Sequence, residues 1–143
     1  MAAYWLFKSD PEHYGFPDLV REGRTIWDGV SNNLALKNLR AARPGDLTLI
    51  YHTGDEKCIV GGAEITGEPY PDPKQNNPRL VVVDVKARHA LPRPVPLDEI
   101  KKEPSLRDFD LVRLPRLSIM PVSEAQWKTL MKLAGAGERG FVL

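Results

Sequence analysis

The segment 24–33, with sequence RTIWDGVSNN, is the part of the chain that best fits a recognition site. Trp27 ends a short apolar run, and Asp28 with Gly29 then predicts a turn before several short polar side chains. An indole face beside hydroxyl and amide groups can hold a flat polar ring such as a nucleobase, because the rings stack while the polar groups bind the ring edge. The commoner alternative is a buried tryptophan before a turn, with Ser31 and Asn32 capping the next helix.

The sequence contains no motif typical of a metal site, of a catalytic nucleophile or of a phosphate-binding loop. The histidines are His13, His52 and His89, no two of them are spaced as metal ligands, and Cys58 is the only cysteine. No G-x-S-x-G elbow and no glycine-rich phosphate loop occurs, so a triad built from Ser9, His52 and an acid is disfavoured. The sequence therefore predicts no metal site, no cofactor and no catalytic residue.

What remains is a set of polar residues suited to binding. Stacking a base on an aromatic ring contributes about 1–3 kcal/mol, which is enough for a module without catalytic groups to distinguish bases. Each residue also has a structural alternative: His52 could be bonded to a loop, Asp10 could only form the turn before Pro11, and the arginines could be an ordinary solvated face. The polar groups at predicted strand ends or helix starts are Ser9, Asp10, Asn32 and His52, and a possible basic rim comprises Lys86, Arg88, Arg113, Arg116 and Ser118.

Length and charge limit the classes of function. A chain of 143 residues corresponds to one ordinary domain. A net charge of +1 provides no strong overall field, so binding to nucleic acid would depend on a specific site with a local basic rim. The sequence has no membrane-length apolar run and no signal-peptide pattern, and its single cysteine fits a reducing compartment. We expect a cytoplasmic protein, nucleoid-associated or, in a eukaryote, nuclear.

Periodicity predicts an α+β domain with a small, strongly bent sheet or barrel. Gly61 and Gly62 interrupt one strand pattern, which indicates a bulge, a barrel corner or a group packed close to the backbone. Ser123 and Gln126 form a capping box, and Trp127 lies on the apolar face of the helix that follows. The predicted strands are 3–9, 46–53, 58–66, 79–88 and 117–122, with 91–96 extended and 68–78 a loop, and the predicted helices are 16–23, 32–42, 97–102 and 123–134.

Several separate stretches together resemble the EVE domain. They are YWLFKSDP at 4–11, IWDGVSNN at 26–33, GDLTLIYHT at 45–53, residues 61–64, YPDP at 70–73, VDVK at 83–86 and RLSIMPVSEAQW at 116–127. The resemblance implies one domain over 1–143 with the PUA-like fold, a small curved β-barrel of about five to six strands with short flanking helices, related to YTH and ASCH domains. It also implies a non-enzymatic module that binds a modified nucleobase, chiefly a modified cytosine in DNA, flipped into an aromatic-lined pocket.

The resemblance also implies roles for individual residues. The strand end at Lys8, Ser9 and Asp10 would contact the base, Trp27 would stack on it, and Asp28 would present its backbone N–H. Asn32 matches the family motif W-D-G-V-x-N, although Ser31 and Asn33 depart from the residues common in the family. Further family positions expected near the pocket mouth are Tyr51, His52, Leu117 and Ser118, and the candidates for a second cage aromatic are Tyr51 and Tyr70.

Two alternatives share the implied fold. One is an RNA-binding PUA-like module, and the other is a small ASCH-like hydrolase or nuclease that would use Lys8, Asp10 or His52. The expected partner is nucleic acid containing a modified base, with DNA favoured over RNA, together with a separate effector protein and no membrane. The sequence leaves the identity of the base and the oligomeric state open.

Overall fold

The computed structural model describes residues 3–136, which form a mixed seven-stranded sheet with short helices packed against it. The strands follow the order β2-β6-β4-β3-β1-β7, with β5 paired to β6; β1 and β3 run parallel and the other pairs are antiparallel. The predicted α+β, PUA-like class is confirmed, with seven strands in place of five to six. The elements are β1 Tyr4–Ser9, α1 Phe16–Glu22, β2 Arg24–Trp27, α2 Asn33–Ala41, β3 Leu47–His52, β4 Cys58–Ile65, β5 Tyr70–Pro71, β6 Val81–Pro96, α3 Leu97–Lys102, a 3₁₀ turn Pro104–Leu106, α4 Asp110–Arg113, β7 Ile119–Val122 and α5 Glu124–Leu133.

Strand β1 lies inside the sheet, between β3 and β7. Its residues Trp5, Leu6 and Phe7 are all buried, so both faces of the strand are covered. The parallel pairing with β3 requires a long crossover, and α1, β2 and α2 form it. This topology places the carboxyl end of β1 beside the carboxyl end of β3, with Ser9 paired to His52.

The glycine pair lies where the register between neighbouring strands is irregular. The register between β4 and β6 shifts between Ile59 and Gly61 and again between Gly61 and Ala63. A Cβ atom on Gly61 would lie 2.4 Å from Cζ of Phe16, at the start of α1. The predicted bulge and the predicted close packing are therefore both present, because the Phe16 ring lies directly against the Gly61 backbone.

Three strands differ from the sequence prediction. The sequence indicates only an apolar run at 24–27, but these residues form β2, which pairs with β6 over four residues. Residues 70–71 fall in a predicted loop and form the short strand β5. Strand β6 continues through 91–96 despite three prolines, because Cys58 and Ile59 of β4 pair with Pro96 and Val95 at its end. Local turn preferences did not reveal these distant pairings.

The four predicted helices all form, whereas α4 and the 3₁₀ turn were not predicted from the sequence. The Asn32 side chain accepts a hydrogen bond from the backbone N–H of Ala35 at 3.0 Å and begins α2. Ser123 and Gln126 form the predicted capping box of α5. Trp127 is buried and its ring stacks on Tyr4 at 4.3 Å, which confirms its place in the core. Within residues 3–136, no helix is long and apolar enough to cross a membrane.

Candidate functional site

A cavity of about 560 Å³ lies where β1 and β2 end, and we call it the main cavity. The end of β1 contributes Lys8, Ser9 and Asp10, and residues 25–29 contribute the end of β2 and the turn that follows. His13 and Tyr14 line it from the turn after β1, and Lys74 lines it from the loop after β5. Residues distant in sequence therefore meet around Trp27, as a recognition pocket requires.

Trp27 is both a core residue and a wall of the main cavity. Only 7% of its surface is exposed, and its ring lies 5.4 Å from the Phe7 ring at an interplanar angle of 49°. The two interpretations of Trp27 from the sequence are therefore compatible in this fold. Because the packing on Phe7 fixes the indole, the cavity wall at Trp27 is held in place before any ligand arrives.

The turn after β1 fixes the polar groups of the cavity wall. The Ser9 hydroxyl donates a hydrogen bond to the carbonyl oxygen of Tyr14. The Asp10 carboxylate accepts one from the backbone N–H of Glu12 at 3.0 Å and contacts Nδ1 of His13 at 3.0 Å. The Glu12 N–H, followed by His13, holds the pKa of Asp10 below its usual value. Asp10 thus forms the turn and also presents an ionised acceptor to the cavity.

Lys8 spans the wall of the main cavity. Its Nζ donates a hydrogen bond to the carbonyl oxygen of Pro115 at 2.8 Å and lies 5.7 Å from the centre of the Tyr51 ring. Burial lowers the pKa of this ammonium group. Tyr51 is 4% exposed and packs behind Lys8, outside the lining of the main cavity.

His52 is held by structural hydrogen bonds away from the main cavity. Its Nε2 accepts a hydrogen bond from the backbone N–H of Phe16 at 2.9 Å, so Nδ1 carries the proton and donates to Oε1 of Glu56 at 2.9 Å. The ring is buried and does not line the cavity. The structure thus shows the alternative in which His52 is bonded to a loop.

A second cavity, of about 320 Å³, lies beside the first, and we call it the side cavity. Asn32 and Leu34 line it from the start of α2, and residues 113–117 line it from the end of α4 and the segment that follows. Three residues predicted near the base or its rim, Asn32, Arg113 and Arg116, therefore lie here together with Leu117. Ser118 follows this segment, and its carbonyl oxygen accepts a hydrogen bond from the backbone N–H of Lys8 at 2.9 Å.

The sequence and the fold of this protein are similar to those of known proteins along nearly the whole chain. The sequence model of the EVE domain matches residues 3–133. The chain belongs to the EVE domain family. A protein of Rhodopseudomonas palustris, solved by NMR, is 41% identical with a TM-score of 0.89, and the match covers 94% of each chain. Human thymocyte nuclear protein 1 is 29% identical over 93% of this chain and 74% of the human protein.

One related structure contains DNA. It is the human THYN1 protein in complex with DNA containing 5-methylcytosine, which is 29% identical to this EVE domain with a TM-score of 0.86. The match covers 93% of this chain and 98% of that one.

Two predicted rim residues of this EVE domain lie away from both cavities. Lys86 pairs with Arg24 at the start of β2, whereas Trp27 pairs with Val83 at its other end. The Arg88 guanidinium forms an ion pair with Glu64 at 3.0 Å. Neither Lys86 nor Arg88 lines the main or the side cavity.

Tyr14 and Lys74 are among the lining residues of the main cavity that the sequence did not reveal, together with His13 and Thr25. Tyr14 supplies a second aromatic side chain, whereas Tyr70, a predicted candidate, lines a different cavity and donates a hydrogen bond to Asp84 at 2.6 Å. Lys74 is positioned by Asp72, whose carboxylate accepts a hydrogen bond from the Lys74 backbone N–H at 2.9 Å. The motif YPDP that precedes Lys74 indicated an ordered turn, but nothing local indicated where that turn packs.

Acidic, histidine and cysteine side chains do not gather into a metal site in the part of the chain that the structure describes. No group of three such side chains between residues 3 and 136 is arranged to hold a metal ion.

Proposed function

We propose that this EVE domain is a non-enzymatic DNA-binding module that recognises a modified base, with modified cytosine favoured, flipped into the main cavity. The observation that carries the proposal is the convergence of the Trp27 indole with the polar strand end Lys8, Ser9 and Asp10 around one cavity of about 560 Å³. The THYN1 complex with 5-methylcytosine DNA supports the choice of ligand, since its fold is the same over 93% of this chain.

The lining side chains suit the chemistry of a cytosine ring. Trp27 and Tyr14 provide aromatic surface for stacking. The ionised Asp10 carboxylate accepts a hydrogen bond from the exocyclic amino group of cytosine. The backbone N–H of Asp28, at the turn after β2, donates to an acceptor on the ring edge. The proposed contacts with the base are thus a stacking surface, one hydrogen-bond acceptor and one hydrogen-bond donor. These groups suit binding and not catalysis.

The cations around the two cavities hold the phosphates in this proposal. Lys74 borders the main cavity, Lys8 lies in its wall, and Arg113 and Arg116 border the side cavity. The net charge of +1 makes these local cations, and not a general field, the source of electrostatic attraction. Extruding a base costs a few kcal/mol, so a single-stranded or mismatched modified base binds more tightly than a paired one.

The test compares labelled oligonucleotides by fluorescence anisotropy. Short single strands and duplexes carry cytosine or 5-methylcytosine at one position, and matched RNA strands serve as a further comparison. The variants are Trp27→Phe, which keeps an aromatic ring, and Trp27→Leu, which keeps apolar bulk. Trp27→Ala is unsuitable because emptying this buried site costs about 3–5 kcal/mol of stability.

We expect the wild type to prefer the modified strand and Trp27→Leu to lose roughly tenfold in affinity for it, while Trp27→Phe retains most of the binding. The proposal is contradicted if the affinity is the same for modified and unmodified strands, is unchanged in Trp27→Leu and falls steeply as the salt concentration rises. Such binding requires only a basic surface. A preference for the RNA strand favours the RNA-binding alternative instead. Cleaved or altered oligonucleotide, detected by chromatography after incubation, favours the hydrolase alternative.

A further inference from the structure

We propose that the side cavity binds the nucleotide next to the flipped base on the same strand, with its base against the apolar floor and its phosphate on Arg116. This inference rests on the proposed function of the main cavity. It extends that function from one base to a dinucleotide and assigns an occupant to a separate cavity.

The floor of the side cavity is apolar and open. Leu34, Leu114, Pro115 and Leu117 line it, and Leu34 is 43% exposed at the start of α2. Among the described residues, Leu34 is one of three large hydrophobic side chains that remain exposed. A flat ring placed over this floor covers apolar surface that water otherwise contacts, which is favourable by the hydrophobic effect.

The rim of the side cavity carries positive charge suited to a phosphate. The Arg113 guanidinium is held by Asp110 at 2.8 Å, so part of its charge is already neutralised. Arg116 is exposed and forms no ion pair with any residue in the range 3–136. Its planar guanidinium can therefore donate two parallel hydrogen bonds to a phosphate.

Asn32 adds a group that can bind a base edge. Its side-chain oxygen is occupied by the backbone N–H of Ala35, so the amide nitrogen supplies the hydrogen-bond donors at the cavity. In this proposal the apolar floor contacts the face of the base, the Asn32 amide binds the edge of the base, and the Arg116 guanidinium binds the phosphate. A hydrophobic peptide segment would leave Arg116 without an anion, so a nucleotide is the better complement.

One hydrogen bond joins a lining residue of the main cavity to a lining residue of the side cavity. Lys8 lines the main cavity, Pro115 lines the side cavity, and the Lys8 ammonium donates to the Pro115 carbonyl at 2.8 Å. The two cavities are therefore neighbours, and in this proposal a strand with one base in the main cavity places its next nucleotide in the side cavity. The ammonium group between them lies beside the path of the connecting phosphate.

The test measures how much a flanking nucleotide adds to the binding of the modified base. Isothermal titration calorimetry compares 5-methyl-dCMP alone with single-stranded oligonucleotides that carry either 5-methylcytosine or unmodified cytosine centrally. The variants are Leu34→Ala and Arg116→Ala. The matched controls are Val20→Ala, which removes an apolar side chain 54% exposed on α1, and Arg107→Ala, which removes an exposed arginine near α4.

We expect Leu34→Ala and Arg116→Ala each to weaken oligonucleotide binding about tenfold, the scale of one stacked base, and to leave 5-methyl-dCMP binding at the wild-type level. Both controls bind as the wild type does. If both variants bind oligonucleotide as tightly as the wild type, the side-cavity inference is overturned while the reader proposal stands. Equal losses for the mononucleotide overturn it as well, because the variants then act through the main cavity.

The same titrations separate this inference from the reader proposal. Wild-type binding that does not depend on the modification, but is weakened by Leu34→Ala and Arg116→Ala, overturns the reader proposal and retains the side cavity as a nucleotide site. No binding of any nucleic acid by the wild type overturns both.

Discussion

The backbone N–H of Phe16 lies 2.9 Å from Nε2 of His52, and this hydrogen bond ties the start of α1 to the end of β3. His52 pairs with Ser9 across the sheet, so the bond lies one strand away from the main cavity. A residue that the sequence marked as a ligand group therefore supports the wall that carries the site. Both ring nitrogens of His52 form hydrogen bonds within the protein, so the imidazole serves to hold the fold together.

Replacing His52 should change stability more than binding. His52→Ala leaves the buried N–H of Phe16 without an acceptor, so we expect a loss of about 1–3 kcal/mol in the free energy of unfolding, measured by urea denaturation. His52→Gln keeps a possible acceptor and serves as the matched variant, with a smaller loss. A drop in affinity for modified DNA at unchanged stability would instead assign His52 a direct role at the ligand.

Gly61→Ala should destabilise the domain through a steric clash. The new Cβ would lie 2.4 Å from the Phe16 ring, far inside van der Waals contact, so either the ring or β4 must shift, at a cost of about 1–3 kcal/mol. Gly67→Ala is the control, because its nearest neighbour, Asp84 Oδ2, lies at 3.9 Å. The double variant Gly61→Ala with Phe16→Leu should recover part of the loss of thermal stability. Equal melting temperatures for both single alanine variants would refute the clash.

The Tyr70 phenol should ionise only in strongly alkaline solution. Its hydrogen bond to Asp84, followed by burial, raises the pKa of Tyr70 from 10.0 to about 12. Because the folded-state pKa lies above the unfolded value, this interaction stabilises the fold fully below pH 10, and its contribution is lost as the pH rises through 12. Absorbance titration near 295 nm of wild type and Tyr70→Phe isolates this transition.

Asp84→Asn provides the control for the phenol titration. Removing the carboxylate charge should lower the pKa of Tyr70 towards the ordinary value, because the bond to Asp84 is the largest cause of the shift. If the alkaline transition of Tyr70 in Asp84→Asn occurs at the same pH as in the wild type, a group other than the Asp84 carboxylate raises the pKa of Tyr70.

Lys74 should contribute to phosphate binding and not to base selection. Lys74→Ala should weaken binding of modified and unmodified strands alike and reduce the slope of log affinity against log salt by about 1. Lys101→Ala removes an exposed charge on α3 and is expected to change neither quantity. A Lys74 variant that loses only the preference for the modified strand would place this side chain on the base itself.

Local structure was predictable because its causes lie within a few residues of each other. The Asn32 cap and the Ser123–Gln126 capping box were visible in the sequence, since each joins groups three residues apart. The strand irregularity at Gly61 was also predictable, because glycine within a strand pattern is typical of a bulge or of close packing against the backbone. The ring that packs there, Phe16, was not predictable, since the two residues are 45 positions apart in the chain.

The α+β class, the strand end at Lys8–Asp10 and the position of Trp27 immediately before a turn could all be predicted from the sequence, because periodicity, proline and glycine act locally. Which of these groups meet depends on the tertiary structure. It brought Tyr14 and Lys74 to Trp27, turned Tyr51 and His52 away, and placed Asn32 and Arg116 around a separate cavity. The physical reason is that a cavity forms where distant elements pack, and that packing depends on non-local strand pairing and burial of the whole core.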